Sequence, residues 1–314
     1  MAAPHLYDQI SRNKRNTYFL ILGVIALFVF VGYLIGRFFY GDPFFGVVPA
    51  LLGSSVYSLF SLFVGDKVVL FMMGAKPAEP GANQQLMNVV EEMAIAAGLK
   101  PPKVFVIHSP ASNAFATGRS PDKASIAITT GLMERLNREE LQAVIGHEMG
   151  HVKNFDTRFA ILMAVLVGAV AMICDMVMRQ MRFGGRRRGQ GGGQLQIVMI
   201  LLAVVLAILA PLVAKMIQFA MSRHRELLAD NTAVELTRNP NALANALEKI
   251  ATDPDELQLA NRGTQHLFIV NPLRAASDVK KGIDPKLSEK SGWFDTHPPI
   301  GLRIRLLREM ASRT

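Results

Sequence analysis

Histidines at positions 147 and 151 bracket the stretch HEMGH, with Glu148 directly after the first of them. On a helix, positions i and i+4 share a face, so His147 and His151 can present ring nitrogens to one ion while Glu148 stands beside it without binding. Such a trio supports hydrolysis. A zinc ion held by three protein ligands keeps a position open for water, and the glutamate takes that water's proton as general base. Taken alone, the spacing also fits two surface histidines and a solvated glutamate on an amphipathic helix.

A third ligand can be sought by elimination. The metzincin extension of the motif needs Gly at 154 and His at 157, and this chain has Asn154 and Thr157, so that class is excluded. A later glutamate is the best candidate, and RHRELLAD offers Glu226 with Asp230 one turn on. Glu226 would ligate the metal, and Asp230 could hydrogen-bond the outer nitrogen of a ligand histidine. The alternative is that both are surface carboxylates balancing Arg223 and Arg225. His5, His108, His224 and His266 have no comparable spacing and read as structural or surface residues.

The elements that must position these side chains are those of a membrane protein. Of 314 residues, 50% are apolar, and mean hydropathy is positive, which does not describe an ordinary soluble domain. The net charge of +9 comes without any nucleic-acid recognition module, and basic flanks of apolar spans account for it, so nucleic acid is not an expected partner. Cys174 is the single cysteine and allows no intrachain disulfide. Residues 18–36 and 44–64 read as two spans after the basic Arg12, Lys14 and Arg15, an uncleaved hairpin with a cytoplasmic N-terminus. Residues 159–178 and 195–214 form a second apolar pair, joined by a Gly-rich basic linker over 179–194 whose arginines suit anionic lipid headgroups. Counting spans puts that linker outside, whereas its arginines prefer the inside, and Asp175 is costly in lipid. If this second pair is an antiparallel hairpin, its ends return to one side and bring the Glu226 helix beside His147 and His151.

The chain therefore divides into an N-terminal transmembrane hairpin (1–65), a first catalytic part (66–158), the second hairpin (159–214) and a second catalytic part (215–314). In the first catalytic part, 83–99 has helical periodicity, and 102–109, 113–118 and 124–132 read as short strands. Asn137 with Glu140 three residues later forms a capping box that opens the HEMGH helix. Helices are expected over 221–237, over 241–250 and after THPPIG, with 252–292 irregular. The fold class is α+β, mainly α: a multipass membrane protein whose catalytic domain carries a small sheet.

The ordered segments SNAFATG, AITTGLMERLNREELQAVIGHEMGHVKNFD, SRHRELLAD, HLFIVNP and HPPIGLRIRLL, behind a membrane hairpin, resemble the HtpX family of heat-shock-associated membrane zinc metalloproteases. That family lies within the broader group containing the CAAX prenyl protease Ste24. The resemblance covers nearly the whole chain. It implies a gluzincin endopeptidase of the bacterial inner membrane, its active site facing the cytoplasm, that cleaves misfolded or damaged membrane proteins. It implies one Zn2+ per chain on His147, His151 and Glu226, with Glu148 catalytic. Asn113, Ala114, Phe115 and Ala116 would lie beside an extended substrate, as an edge strand pairs with a peptide through main-chain bonds. His297 and Arg303 would stabilise the oxyanion, although His297 before two prolines also fits a turn residue.

Two rival readings make different predictions. A non-catalytic zinc-containing chaperone or scaffold would have a closed coordination sphere and survive loss of Glu148. A transporter or channel would need more polar positions in its spans than Asp175 and Lys215 supply. No feature of the sequence fixes the oligomeric state.

Overall fold

A computed structural model describes residues 6–163, 223–260, 264–272, 279, 282, 284 and 297–313. The expected second hairpin, with Cys174, Asp175 and the basic linker, lies outside them apart from residues 159–163, which are helical.

The chain opens with two long helices, α1 (Leu6–Ile35) and α2 (Phe44–Met72), joined by a π-helical turn at Gly36–Tyr40. Both are long and apolar enough to cross a membrane, and Phe19, Leu22, Phe30, Phe45 and Phe60 project from their exposed faces. The serines and glycines that soften the second apolar run have a packing reason. Gly46, Ser54, Ser58, Ser61 and Gly65 form the buried side of α2, and small residues let helices approach closely. A Cβ on Gly32 would fall 2.4 Å from the Gly46 carbonyl oxygen. The expected boundary at 65/66 falls inside α2, which continues unbroken to Met72. Its last turn carries Val69 and Leu70 into a buried cluster with Phe115 and Phe268.

Beyond α2, four strands form one sheet: β1 (Lys76–Pro77), β2 (Lys103–Ile107), β3 (Ala114–Gly118) and β4 (Ala124–Thr129), in the order β1-β2-β4-β3. β2 and β4 pair in parallel, and β3 pairs antiparallel to β4 with Phe115 opposite Ala127. The strand expected over 124–132 ends at Thr129, whose side chain caps a short helix, α4 (Thr130–Arg135), by accepting from Leu132 N. That local hydrogen bond offers the backbone a helical start in place of further pairing. Helix α3 (Gln84–Ala97) precedes β2. Helices α5 (Arg138–Lys153), α6 (Arg223–Thr237), α7 (Pro240–Ala251) and α8 (Ile300–Ala311) complete the described elements. The main core lies where α3, α5 and α7 meet the sheet, around Val89, Ile126, Ile128, Val144 and Leu247. The architecture is mainly helical with a small mixed sheet.

Candidate metal centre

Helix α5 starts at the expected capping box: Asn137 Oδ1 accepts from Glu140 N at 2.9 Å, and Asn137 N donates to Glu140 Oε2 at 2.9 Å. With its start fixed, the phase of α5 is fixed. Gly146 and Gly150, one turn apart, face α6, where a Cβ on Gly150 would stand 3.1 Å from Ala229 Cα and one on Gly146 3.3 Å from Ala233 Cα. These glycines let the two backbones approach, which brings Glu226 across to His147 and His151. One ligating atom from each of His147, His151 and Glu226 can be chosen so that all lie within 4.8 Å of one another.

The donor set fits a divalent cation. His147 Nδ1 faces Asp230 Oδ1 at 2.9 Å, and His151 Nδ1 faces Asp156 Oδ2 at 3.1 Å. A ring nitrogen that donates to a carboxylate leaves its partner nitrogen as a bare lone pair. The two Nε2 atoms stand 3.2 Å apart, with His151 Nε2 3.4 Å from Glu226 Oε1 and His147 Nε2 3.8 Å from Glu226 Oε2. Glu226 Oε2 is buried beside His297 Nδ1 and the Arg303 guanidinium, at 3.2 and 3.5 Å, without a well-aligned hydrogen bond to either. Two lone pairs and a carboxylate converging away from water are the chemistry of a metal ligand set.

Electrostatics separate the groups by role. Burial lowers His147 to about 4, against the opposing bond from Asp230. Burial acts the same way on His151, but without a metal the charges of Glu226 and Asp156 outweigh it and raise that ring to about 9, so an ion binding there would release a proton from Nε2. Glu226 is held well below the usual carboxylate range: burial alone would raise it, and its neighbours His297, His151 and Arg303 reverse that. Glu148 moves the other way. Burial pushes it up to about 7, only partly offset by His151 and by a hydrogen bond from the Ala116 backbone. A carboxyl poised there can both take and give a proton near neutrality.

Arg303 and His297 diverge. Arg303 is 1% exposed and turned inward: Nε and Nη2 donate to Asp230 at 2.8 and 2.7 Å, and Nη1 donates to the Ile269 carbonyl at 2.9 Å. Its guanidinium stands 3.5 Å from Glu226 Oε2 but does not line the cleft, where an oxyanion donor is expected. His297 does line the cleft, with Glu148, His151, Glu226 and Phe159, and its Nδ1 is 3.2 Å from Glu226 Oε2.

β3 is an edge strand, as expected, but its outer side is partly occupied. Thr129 N donates to the Asn113 carbonyl on the β4 side, so Ala114 points outward, where its carbonyl accepts from Ile269 N at 3.1 Å. Asn113 Nδ2 ties down the Val270 carbonyl at 2.9 Å, and the Phe115 ring packs edge-on against Phe268 at 5.2 Å. Of the four residues expected along the substrate, Ala116 alone lines the cleft, because residues 268–270 lie beside the strand's first half.

Two residues carried no expected role. Asp156, five positions after His151 in the same motif, orients that ring; the signal was an acid at the end of the helix that bears the ligand. His266, expected to be structural or at the surface, forms part of the cleft wall, buried at 3% exposure, with Nε2 3.1 Å from the Ala160 carbonyl. His108 and His224 are exposed, as expected, and His5 lies outside the described residues.

With this geometry in place, similarity to known proteins supplies the class. The profile of peptidase family M48 matches residues 80–311, well over half of the chain, which belongs to this family of metallopeptidases. Full-length relatives narrow the assignment. The chain is 39% identical over 310 residues to a protease HtpX homolog of Streptococcus thermophilus, covering 97% of this chain and 100% of that protein. A protease HtpX homolog of Streptococcus uberis is 39% identical over 308 residues, with the same coverage. Within family M48 the chain stands with the HtpX proteases. Ste24p of S. mikatae aligns with a TM-score of 0.49 and 17% identity over 96% of this chain and 67% of Ste24p.

Proposed function

We propose that this protease is a zinc endopeptidase of the bacterial inner membrane, its active site on the cytoplasmic face, which hydrolyses misfolded or damaged membrane proteins. The observation that carries this reading is the convergence of His147, His151 and Glu226 with Glu148 beside the edge strand β3. A His/His/Glu set favours zinc over harder cations, and zinc bound there supplies Lewis acidity to a water and to the scissile carbonyl. Glu148 takes the proton of the attacking water and passes it to the leaving amine nitrogen. Asp230 and Asp156 hold His147 and His151 in the tautomer that turns Nε2 to the ion. Arg303 acts as a positioning residue that fixes Asp230 and balances Glu226, and His297, on the cleft wall, donates to the developing oxyanion. Ala116 offers main-chain pairing to an extended peptide without reading its side chains, which suits unfolded substrates of varied sequence.

The test compares wild type with Glu148→Gln, purified in detergent, stripped with a chelator and reloaded with zinc, by cleavage of casein on a gel. Cleavage should be zinc-dependent and lost in the variant while zinc content is kept. Equal cleavage by both proteins would sink the assignment of Glu148 and favour a scaffold with a structural metal.

A further inference from the structure

Two arginines at the foot of the membrane hairpin meet aromatic rings of its helices: Arg119 lies 4.6 Å over the Phe63 ring and Arg158 5.5 Å from the Tyr18 ring. Tyr18 and Phe63 are 57% and 58% exposed, and they lie about equally far along the chain from Gly41 at the hairpin tip. At 1.5 Å per residue that distance is about 33 Å, close to the ~30 Å hydrocarbon thickness of a bilayer. The two rings thus mark the level at which both helices leave the hydrocarbon, the usual place of an aromatic belt. Arg15 and Lys67, both exposed, are also equidistant from the tip and fall one turn beyond that level. Among the described residues no carboxylate pairs with Arg119 or Arg158, and Arg158 Nε is buried without a hydrogen-bond partner.

We propose that Arg119 and Arg158, with Arg15 and Lys67, form a basic collar that binds the phosphates of anionic phospholipid headgroups and seats the catalytic unit on the leaflet. The inference rests on the reading that α1 and α2 cross a membrane. It has a consequence for the active site, because Thr157, Phe159 and Ala160 line the cleft while Arg158 between them meets Tyr18. The cleft rim is then at headgroup level, where a chain leaving the bilayer first becomes extended.

The experiment places the full chain in nanodiscs of phosphatidylcholine mixed with phosphatidylglycerol and reads the lipids retained by native mass spectrometry. Wild type should retain phosphatidylglycerol selectively. Each basic residue at an anionic leaflet contributes about fivefold, so Arg119→Gln/Arg158→Gln should lower that preference about 25-fold with cleavage of a short soluble peptide unchanged. Arg119→Lys/Arg158→Lys should restore most of it, which a variant that merely misfolds would not. No preference in wild type, or full preference in the Gln pair, overturns the collar; displacement of the lipid by inorganic phosphate overturns it in favour of a free-phosphate site. Failure of the protein to enter nanodiscs would instead remove the membrane reading beneath it.

Discussion

Arg303 holds Asp230 by two hydrogen bonds, 2.8 and 2.7 Å long, and the Asp230 Oδ1 that accepts one of them also faces His147 Nδ1 at 2.9 Å. The pair is buried, so each charge depends on the other. Arg303→Ala should destabilise the fold by about 3–5 kcal/mol, since it leaves Asp230 and Glu226 uncompensated. Arg303→Lys keeps the charge but loses the paired geometry. Its affinity for zinc should fall about 10–100-fold, measured by competition with a chromogenic chelator; unchanged affinity would show that Arg303 does not position the ligands.

The approach of α5 to α6 gives a second prediction. Gly150→Ala sets a methyl 3.1 Å from Ala229 Cα, so the helices must separate by a few tenths of an ångström. A loss of about 1–3 kcal/mol is expected, together with weaker zinc binding. Gly53→Ala meets nothing within 4 Å and, gaining helix propensity without a clash, should not lower the melting temperature in parallel assays.

The pH dependence of stability should carry a mark of His266. Burial lowers its pKa to about 4 from 6.5, so between these values the unfolded chain binds the extra proton and the folded one does not. The stabilisation of the neutral ring is complete above pH 6.5 and is lost as pH falls through the window to about 4. The total is about 3 kcal/mol. Comparing wild type with His266→Gln by urea unfolding across that window isolates the effect, and parallel curves would reject it.

Metal removal is the fourth test. A ligand that binds only the folded state raises its melting temperature with concentration. A chelator should therefore lower the melting temperature of the whole chain, and added zinc should restore it progressively. His147→Ala should be insensitive to both additions.

The metal ligands were legible because helix periodicity is rigid: once Asn137 and Glu140 fix the start of α5, the faces of His147, Glu148 and His151 follow. Glu226 followed less directly, from chain order, and the two glycines that bring it close were visible only as letters within the motif. The surroundings of Arg303 and of the first half of β3 were not legible in the sequence, for one shared reason. Both are governed by residues 267–270, whose path across the sheet edge comes from long-range contacts such as Ile269 to Ala114 and Arg303 to Ile269, which no local period encodes. The end of β4 was missed because Thr129 favours a strand by its β-branching and a helix start by its hydroxyl, and the hydroxyl prevailed.

Beyond Pro49 near its start, helix α2 carries no further proline up to Met72 and ends within the buried cluster around Phe115 and Phe268. A rod with no joint at the water boundary transmits its orientation. Apolar segments answer a thicker or thinner bilayer by leaning, and if α2 crosses a bilayer, any lean of the segment would swing the hydrolytic chamber with it. In that arrangement lipid composition and temperature become mechanical inputs, delivered through the last turns of α2 to the place where peptide bonds are cut.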